Sequence, residues 1–136
     1  PDDMVFLDED EPPPPDDGVL IKIEADSFLI LFKKPAGALG CAVEMQKACQ
    51  ATNQRRPPEE QIVLCVGLGY GRILKIGDED VFGHEVNIAS KLGEDIAKAN
   101  EVLLTRAALA SLGPEISCDE LRGDYAGESI YWRVRY

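Results

Sequence analysis

The chain has 136 residues, 45% of them hydrophobic, which suits one compact domain with a core, and no run nears the roughly 18 apolar residues of a membrane span. Its net charge of −11 is unevenly placed: residues 1–17 carry eight acids and no base, leaving 17 acids against 14 bases elsewhere. A mildly acidic domain with an acidic arm is unsuited to nucleic acid, where affinity rests on neutralising phosphates.

In chain order, Met4-Val5-Phe6-Leu7 is a short apolar run with strand character. Glu9 to Asp17, with Pro12 to Pro15 in a row, is expected to be extended or disordered. Gly18–Glu24 and Phe28–Phe32 read as two strands around a tight Ala25-Asp26-Ser27 turn. Pro35 suits a helix start, and the spacing of Leu39, Ala42, Val43 and Cys49 predicts an amphipathic helix to about Thr52. Asn53 to Pro58 ends it. Ile62–Val66 and Arg72–Ile76 then read as strands joined by the glycine-rich connection Gly67-Leu-Gly-Tyr-Gly71, closing at Gly77–Asp80. A helix follows from His84 to about Ala99, packed through Ile88, Ala89, Leu92 and Ile96. Glu101–Leu104 is a short strand, Thr105 caps a small helix to about Leu112, and strands near Ile116–Leu121 and Ser129–Val134 close the chain. This pattern gives an α+β fold, a largely antiparallel sheet covered by helices.

The four cysteines, Cys41, Cys49, Cys65 and Cys118, show no C-x-x-C pairing and no zinc spacing with the single histidine, His84. They read as reduced thiols, three of them core-like. The acidic, Pro-rich start is unlike a secretory signal, so a cytoplasmic location is expected, with the domain able to belong to a larger, membrane-attached protein. Gly67-x-Gly-x-Gly71 lies between strands and does not open a helix, so it lacks the amides of a phosphate loop.

The most informative stretch is Asp80-Val-Phe-Gly-His-Glu-Val-Asn87-Ile-Ala-Ser-Lys91. Asn87 and Lys91, four apart on a helix, share one face and suit an anionic, hydrogen-bonding ligand. A second stretch, Lys22-Ile-Glu-Ala-Asp26-Ser-Phe-Leu-Ile-Leu-Phe32, puts an Asp at a hairpin tip, where hard metal ions find oxygen ligands and where Asp also simply makes turns. The third is Leu121-Arg122-Gly123-Asp124.

These stretches resemble the class III nucleotidyl cyclases, whose patterns read D-x-[FYW]-G-x-x-V-N-x-A-[AS]-R and K-x-x-G-D-x-[FY]-x-A-x-F. The resemblance implies a ferredoxin-like cyclase homology domain over residues 18–136, following an acidic Pro-rich segment at 1–17. It also implies conversion of ATP to 3′,5′-cyclic AMP and pyrophosphate, with two divalent ions (Mg²⁺ or Mn²⁺) at the interface of a homodimer or of a pair with another cyclase domain. Asp26, with Asp8 as a second candidate, would hold metal, and Lys22 and Asp80 would read adenine. A carboxylate at Asp80 can accept from the adenine N6 amine but not from guanine O6. Asn87 would orient the ribose, Lys91 would stabilise the reacting phosphate, and Arg122 would bind the triphosphate.

Departures from the pattern are specific. Lys91 replaces the family's Arg and cannot make its forked bonds. Ala25 replaces a Gly. Only residues 9–25 separate Asp8 from Asp26, too few for the two helices expected there, so residues 1–17 are not expected to form the family's metal-binding strand. Two readings follow: a cyclase of weakened activity, or a catalytically inert cyclase-homology domain serving dimerisation or nucleotide sensing.

Overall fold

A computed structural model of the chain describes residues 2–7, 19–24, 27–32, 34–72, 74–76, 80–125 and 127–136, with side chains over 30–32, 34–72, 83–125 and 127–136. Among these residues the strands are β1 (Asp2–Leu7), β2 (Val19–Glu24), β3 (Ser27–Phe32), β4 (Val66–Gly71), β5 (Leu74–Ile76), β6 (Asp80–Phe82), β7 (Val102–Leu104), β8 (Cys118–Tyr125) and β9 (Glu128–Val134). The α-helices are α1 (Pro35–Asn53), α2 (His84–Lys91) and α3 (Arg106–Leu112). Seven strands form one sheet in the order β2-β3-β1-β4-β7-β9-β8, and β5 pairs with β6 apart from it. Every pairing is antiparallel except β4 with β7. This is the α+β architecture expected from the sequence.

The strand expected at Met4–Leu7 is present as Asp2–Leu7, paired on both edges with β3 and β4 and so central in the sheet. Two other expectations are corrected. The segment expected to connect two strands, Gly67–Gly71, is itself most of β4, while Ile62–Cys65 approaches it as irregular chain. The expected long helix from His84 stops being α-helical at Lys91, passes through a π-helical turn over Leu92–Ile96, and ends at Ala97 in extended backbone. Residues 9–17, expected to be extended or disordered, lie outside the described residues.

The period of two in β4 sorts its residues between the faces of the sheet. Val66 and Leu68 join the main core with α1, α3, Ile30, Phe32, Val102, Leu104 and Trp132. Gly67, Gly69 and Gly71 face α2. A Cβ on Gly67 would lie 2.3 Å from the Ala89 carbonyl oxygen, and one on Gly69 would lie 2.8 Å from that of Glu85. Backbone therefore packs on backbone, and only glycine leaves the room.

Helix α1 starts with Pro35 at its first position, where the missing N–H is no loss. Its buried stripe is Ala38, Cys41, Ala42, Gln46 and Cys49, so the packed face includes a polar side chain. Gln46 is fully buried, and its Nε2 donates to the carbonyls of Leu64 at 2.9 Å and Glu101 at 3.0 Å. At the helix end the Asn53 amide donates to the Ile62 carbonyl at 2.8 Å and accepts from the Ile62 N–H at 2.7 Å, closing the loop through Pro57 and Pro58. The four cysteines, all among the described residues, form no disulfide, and Cys41, Cys49 and Cys65 are buried.

On the other face a smaller cluster joins Ile88, Leu92, Leu103 and Tyr125. The buried Tyr125 hydroxyl donates to the Ile130 carbonyl at 2.6 Å, and its ring meets Tyr131 edge-on at 5.7 Å. Burial, with a smaller push from the charges of Glu128 and Glu85, raises this phenol to about 12.

Two outcomes follow. Gly67→Ala should lower unfolding stability by about 3 kcal/mol, because neither partner of the added methyl is a flexible side-chain end, and urea unfolding measures it. Because the folded state holds the Tyr125 proton longer than the unfolded chain does, stability should fall as pH rises from the ordinary tyrosine value of 10.0 to about 12. Tyr125→Phe should remove both that slope and the late ultraviolet titration step.

Candidate functional site

Helix α2 carries two of the sequence-derived site residues. Its apolar positions Val86, Ile88 and Ala89 are buried against the sheet, which leaves Asn87 and Lys91 on the exposed side. Asn87 has no side-chain hydrogen bond among the described residues. The Lys91 ammonium does have a partner: the π-helical turn brings Asp95 Oδ2 to 2.7 Å from Nζ, with both side chains about half exposed at 53% and 50%. The hydrogen bond and charge of Asp95 hold Lys91 above the ordinary lysine value. An exposed pair of this kind is weak and screened by salt, so the ammonium remains available to a stronger anion.

The base-reading candidates stand on neighbouring strands. Lys22 is in β2, Asp80 opens β6, and β2 and β6 lie beside one another in the fold. Their side chains are outside the described set. The sequence placed Asp80 at the close of a hairpin turn; it is instead a paired strand residue, opposite Ile76.

The metal-binding candidates Asp8 and Asp26 lie outside the described residues, although Leu7 before the one and Ser27 after the other do not. Leu7, which precedes Asp8, pairs with Phe28, and Glu24 pairs with Ser27 across the two-residue connection that holds Asp26. The topology thus takes the flanks of both carboxylates to one end of adjacent strands. Two carboxylates with phosphate oxygens are a donor set suited to Mg²⁺ or Mn²⁺. Among the described residues, no group of three or more His, Cys, Asp or Glu is placed to hold a metal ion.

Arg122 is separated from Lys22. It lies on β8, at the edge of the sheet opposite β2, six strand spacings or roughly 30 Å away. Its side chain is 74% exposed, with Glu120 at 3.6 Å. His84 is exposed at the first turn of α2, as its position suggested.

Sequence reasoning missed Glu85. Its Oε1 accepts from the Tyr70 N–H at 3.0 Å and from the Thr105 hydroxyl at 2.7 Å, joining the start of α2 to β4 and to the cap of α3. The signal was present in Gly67-x-Gly-x-Gly71: small residues at a period of two on a strand mark a close backbone approach by the next element.

The model of the adenylate and guanylate cyclase catalytic domain matches residues 16–128. The chain belongs to this family. A putative adenylate cyclase 3 of Rhizobium meliloti (strain 1021) is 36% identical over 75 residues, which are 55% of this chain and 13% of that protein. The cyclase domain thus spans a small part of the curated relative it matches. Among solved structures, an adenylate/guanylate cyclase/hydrolase of Silicibacter pomeroyi superposes with a TM-score of 0.73 at 24% identity, covering 87% of this chain and 73% of that one. The catalytic core of a rhodopsin-guanylyl cyclase of converted specificity, in complex with ATPαS, superposes with a TM-score of 0.75 at 14% identity, covering 98% and 94%. No helix among the described residues of the cyclase domain is long and apolar enough to cross a membrane.

The Lys91–Asp95 pair gives a direct expectation. Asp95→Asn should move the Lys91 titration down toward that of an ordinary lysine, observed by NMR at the side-chain end. Since the folded pKa is raised, the pair's contribution to stability is present below the ordinary lysine range and is lost as pH rises through the Lys91 pKa.

Proposed function

We propose that this cyclase domain converts ATP to 3′,5′-cyclic AMP and pyrophosphate at the interface of two cyclase domains, with two divalent ions. The observation that carries the reading is the adjacency of β2 and β6, which places the strands of Lys22 and Asp80 side by side immediately before the helix of Asn87 and Lys91. A base held between the first pair would put its ribose and phosphates toward the second.

In this reaction the ribose 3′-oxygen forms a bond to the α-phosphorus, the bond from that phosphorus to the β-phosphate oxygen breaks, and the 3′-hydroxyl proton is released. Bound divalent ions would favour the ionised 3′-oxygen and offset charge on the phosphates, with Asp26 and Asp8 as their holders. The Asp80 carboxylate selects adenine by accepting from its N6 amine, while Lys22 donates to the ring edge. Asn87 fixes the ribose by hydrogen bonding. Lys91 exchanges Asp95 for the reacting phosphate and offsets charge as it develops, but as a point charge without Arg's two parallel bonds. Arg122, on the strand opposite that of Lys22, would bind the triphosphate.

The test is cyclic nucleotide production with Mg²⁺ or Mn²⁺. Cyclic AMP should exceed cyclic GMP, and Asp26→Ala should abolish both. Lys91→Arg should raise turnover about tenfold or more, within the 10²–10³ that one such donor supplies elsewhere. Turnover that survives Asp26→Ala would sink the metal assignment.

A further inference from the structure

We infer that Glu85 is the positioning residue of this site: its carboxylate sets where α2 sits on the sheet, and with it where Asn87 and Lys91 are presented. The inference rests on the proposed roles of Asn87 and Lys91 as substrate-holding groups.

The sheet has a gap beside the end of β4. Strands β4 and β7 are in register only from Val66 opposite Val102 to Leu68 opposite Leu104. The next residue of the β7 chain, Thr105, still donates its N–H to the Leu68 carbonyl at 3.0 Å, and the chain then turns into α3. Tyr70 lies two residues beyond Leu68, so its N–H points to the same edge, where no strand remains to accept it. Glu85 Oε1 takes that place at 3.0 Å.

The same oxygen accepts from the Thr105 hydroxyl at 2.7 Å, while the Thr105 oxygen accepts from the Ala108 N–H at 3.1 Å as the cap of α3. Thr105 is 1% exposed, so its hydroxyl has no solvent alternative. One carboxylate oxygen therefore ties α2 to β4 and to the β7–α3 corner. The glycines on β4 admit it. A Cβ on Gly69 would lie 3.1 Å from Glu85 Oε1, and one on Gly71 would lie 2.8 Å from Glu85 Cγ.

Glu85 sits in the first turn of α2, two residues before Asn87 and six before Lys91. A helix is stiff over that length, so fixing its first turn fixes both side chains. Loss of the tie leaves the apolar packing of Val86, Ile88 and Ala89 in place but frees the helix start to shift on the glycine face. Displacements of about 1 Å at reacting groups can change rates about 10²-fold.

The experiment compares Glu85→Ala, which removes the acceptor, with Glu85→Gln, which keeps an oxygen at the same place. Measurements are kcat and KM for ATP with Mn²⁺, hydrogen exchange at the Tyr70 amide, and the NMR signal of the Asn87 side-chain amide. Glu85→Ala should lower kcat between about 10- and 100-fold, speed exchange at Tyr70 and shift the Asn87 signal, while Glu85→Gln stays within about threefold of the parent. Equal losses in both variants, or an unchanged kcat and Tyr70 exchange in Glu85→Ala, would overturn the inference. If the parent protein makes no cyclic nucleotide, the proposed function fails, and the Tyr70 and Asn87 signals alone then decide whether Glu85 positions the helix.

Discussion

The direct packing of α2 on the glycine face of β4 is the constraint on which the rest of the structure depends. Three glycines at alternate positions remove the strand's own side chains from this face, so Gly67 meets the Ala89 carbonyl and the backbone around Gly93 with no spacer. Close contact of this kind fixes how near the helix comes to the strand, because interiors packed to crystal-like density do not deform smoothly. It also fixes the far side of the sheet. Once the even-numbered β4 residues face α1 and α3, the core of Ile30, Phe32, Leu64, Leu104 and Trp132 can close only in one register.

Polar side chains then hold the junctions that apolar packing leaves loose. Gln46 ties α1 to the backbone at Leu64 and Glu101, Asn53 completes its own pairing with Ile62, and Glu85 and Thr105 occupy the corner where β7 ends. Each satisfies backbone groups that would otherwise be buried without partners. The surface ion pairs are of a different kind. Arg133 and Arg135 share Asp119 on the outer strands, and Lys91 leans on Asp95, in places where water competes and the pairs contribute little. For Lys91 that weakness is functional sense: a cation proposed to meet phosphate is kept near its place without being consumed by its partner.

Much of the fold was legible from periodicity. The hairpin of β2 and β3, the span of α1 and the Thr105 cap all followed from apolar spacing and from end signals that act locally. The errors share one cause. Glycine in Gly67–Gly71 and the polar, helix-compatible run after Lys91 were read by local propensity, and tertiary contact overrode it. A strand made of glycine is stable only when a helix covers it, and the π-helical turn at Leu92–Ile96 adjusts a helix already fixed at its other end.

What the sequence by itself determined is ancestry. Asp80, Asn87 and Lys91 at their spacings, with Lys22 and Asp26 far away, identify a cyclase domain, and Lys91 marks where this chain departs from the pattern. Side-chain identity carries that information regardless of folding. What only the tertiary structure decided is adjacency: β6 beside β2, Asp95 against Lys91, Glu85 in the place that β7 vacates, and the strand of Arg122 across the whole sheet from that of Lys22. Those relations are set by which strands pair and how closely a helix can approach them, and no local pattern of residues encodes a distance across a sheet.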